Sequence, residues 1–285
     1  MLPKLKYFLV CLKKFMTSSS VICPSCGCSH SMVVDRKYLI TALRRCESCK
    51  LLFRTPITTP TENQIFYQKE YSQGLTTEMP SSQELEKMLT IKFRHTEKDF
   101  SNYINILKAL GCQKGDSLLD FGCSWGYGSW QLMDYGFSVR AFEISAPRCT
   151  YARKYLNVDA YTSLNHFNNQ FDIFFSSHVL EHVPSVSKII TYGWQILRPG
   201  GLFIAFTPNG SNVFRKSNPN NWHKLWGLVH PNLLDEVYYN KTFQGLPKIL
   251  ASNPYFLDKL TLQNCHHDVN DLSGPELLLA VRKPL

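Results

Sequence analysis

Residues 117–145, SLLDFGCSWGYGSWQLMDYGFSVRAFEIS, decide the fold. The apolar run 117–121 predicts a short buried strand. A glycine-bearing turn follows, then a helix over about 129–135, and a second strand over 138–142 that closes on an acid, Glu143. A β-α-β unit of this kind sets a turn of little side-chain bulk against a helix N-terminus, where free amides meet an anionic or polar ligand. The ligand site is therefore expected at the carboxyl ends of these strands.

Three readings compete for the turn. In a dinucleotide fold the glycines would follow G-x-G-x-x-G, but here they fall at Gly122, Gly126 and Gly128, which weakens that reading. The run G-C-S-W-G at 122–126 also satisfies the hydrolase pattern G-x-S-x-G, with His266 and His267 downstream in the expected order. Such hydrolases build several strands before their elbow, whereas the hundred or so residues ahead of this turn hold a cysteine cluster and mainly helical stretches. The third reading fits more residues. Asp120-x-Gly122-x-Ser124-x-Gly126, followed by Glu143, resembles the first two motifs of the class I S-adenosylmethionine (SAM) dependent methyltransferases. The runs FDIFFSSHVLEHV (171–183) and ILRPGGLFIAF (196–206) resemble the family's fourth strand with its loop, and its fifth strand.

The resemblance implies a Rossmann-like α/β domain, a seven-stranded sheet with helices on both faces. It also implies that Asp120, Gly122, Ser124 and Gly126 shape the turn around the methionine part of SAM. Glu143 would take both ribose hydroxyls, with Ile144, Ser163 and Ser177 as further cofactor contacts. Ser124 stands where a glycine is usual, which implies tighter packing rather than lost binding. Asp159 is an alternative to Ser163 near adenine. His182, His223 and His178 are the candidates for acceptor chemistry, against the plainer reading that each only orders a loop. HVLEH at 178–182 also matches H-x-x-E-H of inverted zinc proteases, but Pro184 disfavours the continuing helix that such a site requires.

Ahead of this domain stands a second signal. Cys23-x2-Cys26 and Cys46-x2-Cys49 are separated by nineteen residues, a spacing suited to a structural zinc held by two knuckles. A zinc ribbon over 21–54 is expected, with Cys28 and His30 left as non-ligands. Its knuckle end at Cys49 and the aromatic residues Phe66, Tyr67 and Tyr71 resemble a subset of methyltransferases that carry such a ribbon. The remaining boundaries expected are a basic amphipathic segment at 1–20, a linker with lead-in helices at 55–110, and the methyltransferase domain at 111–285. Within the last, about 209–245 forms a substrate cover rich in aromatic and amide side chains. Two strands near the end, 256–264 and 276–282, are expected to make the antiparallel edge pair.

The chain has 285 residues, 44% hydrophobic and 19% charged, enough for a full core and typical of a folded domain. Of its net charge of +9, residues 1–54 hold ten Lys or Arg against Asp35 and Glu47, while the rest is almost balanced. The ribbon end would therefore attract any phosphate or anionic lipid. Leu2, Leu5, Leu9, Leu12 and Met16 recur at helical spacing beside Lys4, Lys6, Lys13 and Lys14, which suits a weak membrane-surface contact or docking on the chain's own domain. The first apolar run, 7–12, is far short of a membrane span, and ten cysteines without a secretion signal favour metal binding in a reducing compartment. The expectation is a cytoplasmic enzyme, peripheral to the membrane at most, acting on a small molecule such as a sugar, phenol, quinone or lipid-like precursor. The alternatives are an RNA methyltransferase guided by the ribbon, for which aromatic and basic residues do not interleave in a stripe, and a non-catalytic scaffold.

Overall fold

The computed structural model describes residues 11–14, 16, 21–65, 78–168, 170–260 and 271–285. Two sheets organise them. The smaller holds β1 (Ser31–Lys37), β2 (Thr41–Cys46) and β3 (Leu52–Thr55), antiparallel in sequence order. The larger is built on β4 (Ser117–Phe121), β5 (Ser138–Phe142), β6 (Asp159–Tyr161), β7 (Phe171–Ser177) and β8 (Leu197–Pro208). A two-residue strand, β9 (Asn232–Leu233), comes from the segment after β8 and completes the smaller sheet beside β3. The larger sheet then ends with β10 (Lys248–Ser252) and β11 (Glu276–Arg282), in the spatial order β10-β11-β8-β7-β4-β5-β6.

The central strands β4, β5, β7 and β8 run parallel, and β11 lies antiparallel between β8 and β10. Parallel strands are covered on both faces, so they read as nearly unbroken apolar runs. β7 shows the consequence of side chains alternating along a strand. Ile173 and Phe175 enter a core with Ile106, Leu107, Leu132 and Ile204. Phe174 enters the opposite core with Ile190, Phe203 and Tyr239. Each core buries one face of the sheet, which fixes the register and so the positions of the loops at the strands' carboxyl ends.

The decisive stretch folds as read: β4, a turn, a helix at Tyr127–Tyr135 and β5 ending at Phe142. One edge strand differs. Residues 257–259 form a single 3-10 turn, 261–264 lie outside the described residues, and the partner of β11 is β10. β10, KILAS, is buried at every position. Its leading lysine hides a core strand from a hydropathy reading. Lys248 is nevertheless only 2% exposed, because its Nζ donates to the carbonyls of Phe243 (3.1 Å) and Leu246 (3.3 Å).

The apolar stripe expected at the start falls largely on residues 1–10, outside the described residues, as do Phe66, Tyr67, Tyr71, His266 and His267. Residues 11–14 are helical, and Lys14 Nζ donates to the Ile57 carbonyl and pairs with Glu62. No helix among the described residues is long and apolar enough to cross a membrane.

Candidate functional site

The turn after β4 opens onto a cavity of about 1190 Å³ at the carboxyl ends of the parallel strands. Gly122 has φ +91°, and a Cβ there would stand 2.3 Å from Val179 Cγ2. Gly126 has φ +92° and caps the following helix, with Ala152 only 2.8 Å from where its Cβ would be. Both positions need glycine for conformation and for space. Ser124 also lies in the left-handed region, φ 54°, which explains why glycine suits that position, and its buried hydroxyl has no hydrogen-bond partner among the described residues.

Glu143 follows β5 and is 5% exposed. Its Oε2 accepts from Ser124 N (2.9 Å) and its Oε1 from Ser145 N (2.7 Å), so one carboxylate ties the turn to the next strand. Burial nevertheless pushes its carboxyl up to about 7. Asp120 lies behind the turn, accepts from Ser129 Oγ at 2.5 Å, and is likewise raised by burial, to about 6. Gly122, Ser124, Glu143, Ile144 and Ser177 line the cavity. Ser163 and Asp159 do not: Ser163 caps a 3-10 turn, and Asp159 pairs with Arg140 at 3.2 Å.

The opposite wall is polar. Glu276, at the start of β11, accepts from Tyr103 Oη (2.7 Å), Tyr255 Oη (2.8 Å) and His178 Nε2 (2.7 Å). Burial alone would lower the pKa of His178, but Glu181 and Glu276 outweigh it and hold the imidazolium up to about 10. A ring kept charged has no lone pair with which to take a proton. His182 is the reverse case: burial pushes it down to about 4, and its Nδ1–H donates to Val229 O at 2.8 Å. His223 lies outside the cavity. Its Nδ1 meets Asp35 Oδ2 of β1 at 2.6 Å and its ring stands edge-on to Trp226.

The 209–245 segment mostly faces away from the cavity as well. Phe214, Trp222, Trp226 and Leu233 bury themselves against Leu43 and Leu52 of the smaller sheet, and only His230 of this segment lines the cavity. Glu276, Tyr103 and Tyr255 escape a sequence reading, since they lie in three separate segments and match no spacing pattern, whereas His230 lies in the stretch expected as the cover.

Cys23, Cys26, Cys46 and Cys49 bring their four sulfurs within 4.8 Å of one another. The two knuckles repeat one geometry: Gly27 N donates to Cys23 O and Lys50 N to Cys46 O, while Cys23 N meets Cys28 O and Cys46 N meets Leu51 O. The sulfur pairs Cys23–Cys49 at 3.6 Å and Cys26–Cys46 at 3.5 Å are far too long for disulfides, which need about 2.05 Å. They come close to the edge of about 3.8 Å expected for thiolates at 2.3 Å around a tetrahedral zinc. Cys28 and His30 stand apart, engaged with each other through Cys28 Sγ and His30 N.

Residues 119–205 match the model of a methyltransferase domain. The ubiquinone biosynthesis O-methyltransferase of Paramagnetospirillum magneticum is 33% identical over 104 residues, 34% of this chain and 42% of that protein. That of Sinorhizobium fredii is 31% identical over 143 residues, 43% of this chain and 58% of that protein. The chain thus aligns with about half the length of these curated relatives. Among solved structures, the plantazolicin methyltransferase BamL in complex with a desmethylPZN analog and SAH superposes with a TM-score of 0.52 at 13% identity, over 78% of this chain and 96% of that one. The architecture is a seven-stranded, mostly parallel sheet like that of this methyltransferase, and the family match runs from β4 into β8.

Proposed function

We propose that this chain transfers a methyl group from SAM to a small-molecule acceptor, and that its four-cysteine module holds a structural zinc. The observation that carries the first reading is Glu143: a buried carboxylate on the cavity wall, at the end of the second parallel strand and hydrogen-bonded to the glycine turn. The residues present fit the cofactor. The turn has no room for a Cβ at Gly122 or Gly126, and Glu143 keeps lone pairs for two ribose hydroxyls. Ser124 and Ser177 offer polar groups toward the methionine end, while Ile144 supplies an apolar surface. Asp120 acts through Ser129, holding the helix that follows the turn.

When bound, SAM supplies an activated methyl group for in-line transfer, so the protein's work is alignment and, where needed, removal of a proton. Tyr103, Tyr255 and the Glu276–His178 pair form a fixed polar wall that orients the acceptor. His178, already charged, holds negative charge and takes no proton. His182 is neutral but weakly basic, which suits an acceptor hydroxyl that is already acidic, such as a phenol, over an alcohol. The two curated relatives are named O-methyltransferases of ubiquinone biosynthesis, which agrees with transfer to an acceptor oxygen.

The basic residues of the ribbon speak against an RNA acceptor. Arg45 pairs with Asp235 at 2.6 Å, Lys37 lies 4.4 Å from the Trp226 ring centroid and donates to the Trp226 carbonyl, and Lys50 caps the Glu47 carbonyl. Calorimetric titration tests the cofactor reading. SAM and S-adenosylhomocysteine (SAH) should each bind at one site per chain, and Glu143→Ala should weaken both by about 2–3 kcal/mol, the worth of charged hydrogen bonds. Failure of the intact protein to bind either, or preference for NADH, would sink it.

A further inference from the structure

We propose that Glu181, His182 and His230 form a second metal site, for a divalent transition-metal cation, on the wall of the cavity. Glu181 is fully buried, and among the described residues neither carboxylate oxygen accepts a hydrogen bond. The nearest imidazole nitrogens, His178 Nδ1 and His182 Nε2, stand at 3.4 and 3.7 Å from Oε1. The His178 imidazolium offsets its charge across 3.4 Å, but a buried carboxylate without a close hydrogen bond still has lone pairs for a further partner.

The two histidines around it are set up alike. His182 Nδ1 meets the Val229 carbonyl at 2.8 Å, and His230 Nδ1 meets the Leu225 carbonyl at 2.6 Å. A carbonyl only accepts, so each ring carries its proton on Nδ1 and offers Nε2 as the coordinating atom. Metal-bound histidines are usually fixed in this way. One ligand atom from each of the three residues falls within 4.8 Å of the others, and the two rings meet edge to face at 4.6 Å. Ligands at 2.0–2.2 Å from a cation lie about 3–3.5 Å apart, so closure needs only small side-chain rotations.

The backbone beneath is held firmly. Asn63 Nδ2 donates to the His182 carbonyl (2.8 Å), Asn232 N to the Glu181 carbonyl (3.1 Å) and Asn232 Nδ2 to the Val183 carbonyl (2.7 Å). Two imidazoles and one carboxylate suit Zn²⁺, Fe²⁺ or Co²⁺, a donor set quite unlike the four thiolates of the ribbon. All three residues line the cavity, so the remaining coordination positions open toward an oxygen of the acceptor. This last point rests on the reading of the cavity as the acceptor's site. A cation there occupies the Nε2 lone pair of His182, so it takes over that ring's role as base by acidifying the bound hydroxyl itself.

The full-length protein, chelator-treated but with zinc retained in the thiolate site, is titrated with Co²⁺ while visible absorption and bound metal are recorded. One Co²⁺ per chain should bind and give ligand-field bands without thiolate charge transfer. Glu181→Gln and His230→Asn should each weaken binding at least tenfold, with SAH binding unchanged. If no Co²⁺ binds beyond the thiolate site, or if both variants bind it as the wild type does, the three residues are only an ion-pair cluster and the proposal falls. SAH titration of the same samples reports separately on the cofactor. SAH bound without Co²⁺ sinks the metal site alone, and Co²⁺ bound without SAH leaves that site standing while sinking the cofactor reading.

Discussion

Glu143 joins two demands in one side chain: it fastens the turn through Ser124 N, and under the proposed function it must be ionised to accept from ribose hydroxyls. Burial opposes ionisation and sets its pKa near 7, with Asp120 adding to the rise and Arg148 working against it. A raised carboxyl pKa means that the ligand-free fold prefers the protonated form. This group's contribution to stability is therefore full below about 4.5 and is lost as the pH rises through 7. Cofactor affinity runs the other way. SAH binding should be flat above about pH 8 and weaken toward tenfold per unit below 7, and Glu143→Gln should flatten that profile; equal slopes in both proteins would refute the assignment. A second residue prediction concerns Gly122. Gly122→Ala adds a backbone penalty of about 1–2 kcal/mol at positive φ and a clash with Val179 worth about 1–3 kcal/mol more. Denaturant unfolding should show the sum, and adding Val179→Ala should recover only the clash. The turn at Gly122 and Gly126 and the place of Glu143 beside it were legible because they sit within one local unit with a recognisable spacing. Glu276 was not: it meets His178 across 98 residues of chain, and no local pattern records a contact made by sheet topology.

At the scale of elements, β9 joins the cysteine module to the cavity wall. β3 pairs with β9 through Leu52 and Phe53, and Arg54 N donates to the Pro231 carbonyl at 2.7 Å, next to His230. Sequence spacing exposed the knuckles but not this strand, because two residues, Asn232 and Leu233, are too few to show any period. The same limit explains β10, where a five-residue strand opens on lysine. Cys46→Ser should therefore raise hydrogen exchange beyond residues 21–54, into 225–235, while β4 to β8 stay protected. Protection lost only within 21–54 would show that the ribbon does not support the wall. Arg45 gives a sharper test, since its partner Asp235 has no exposed side-chain surface. Arg45→Ala leaves a buried carboxylate unpaired and should cost about 3–5 kcal/mol in denaturant unfolding, far above the value for an exposed pair.

For the whole molecule the question is where its charge is spent. Residues 1–54 carry ten Lys or Arg against two acids, yet Lys14, Lys37, Arg45 and Lys50 are each engaged with their own chain. Polyanion binding through the ribbon should accordingly be weak. Attraction to an anionic surface then falls to the first ten residues, whose sequence sets Lys4 and Lys6 beside Leu2, Leu5 and Leu9. Each lysine near such a surface adds about 1 kcal/mol and each buried apolar side chain adds more, so the contact should be weak and sensitive to salt. Co-sedimentation with phosphatidylserine vesicles at low salt should be seen for the full chain and lost on deletion of residues 1–10, with SAH affinity unchanged. The hairpin tip offers the contrary outcome. Tyr38 and Leu39 are 69% and 86% exposed, with Arg36 beside them. If the truncated protein still sediments with vesicles and Leu39→Asp abolishes it, the contact belongs to the ribbon and the role assigned to the first ten residues is wrong.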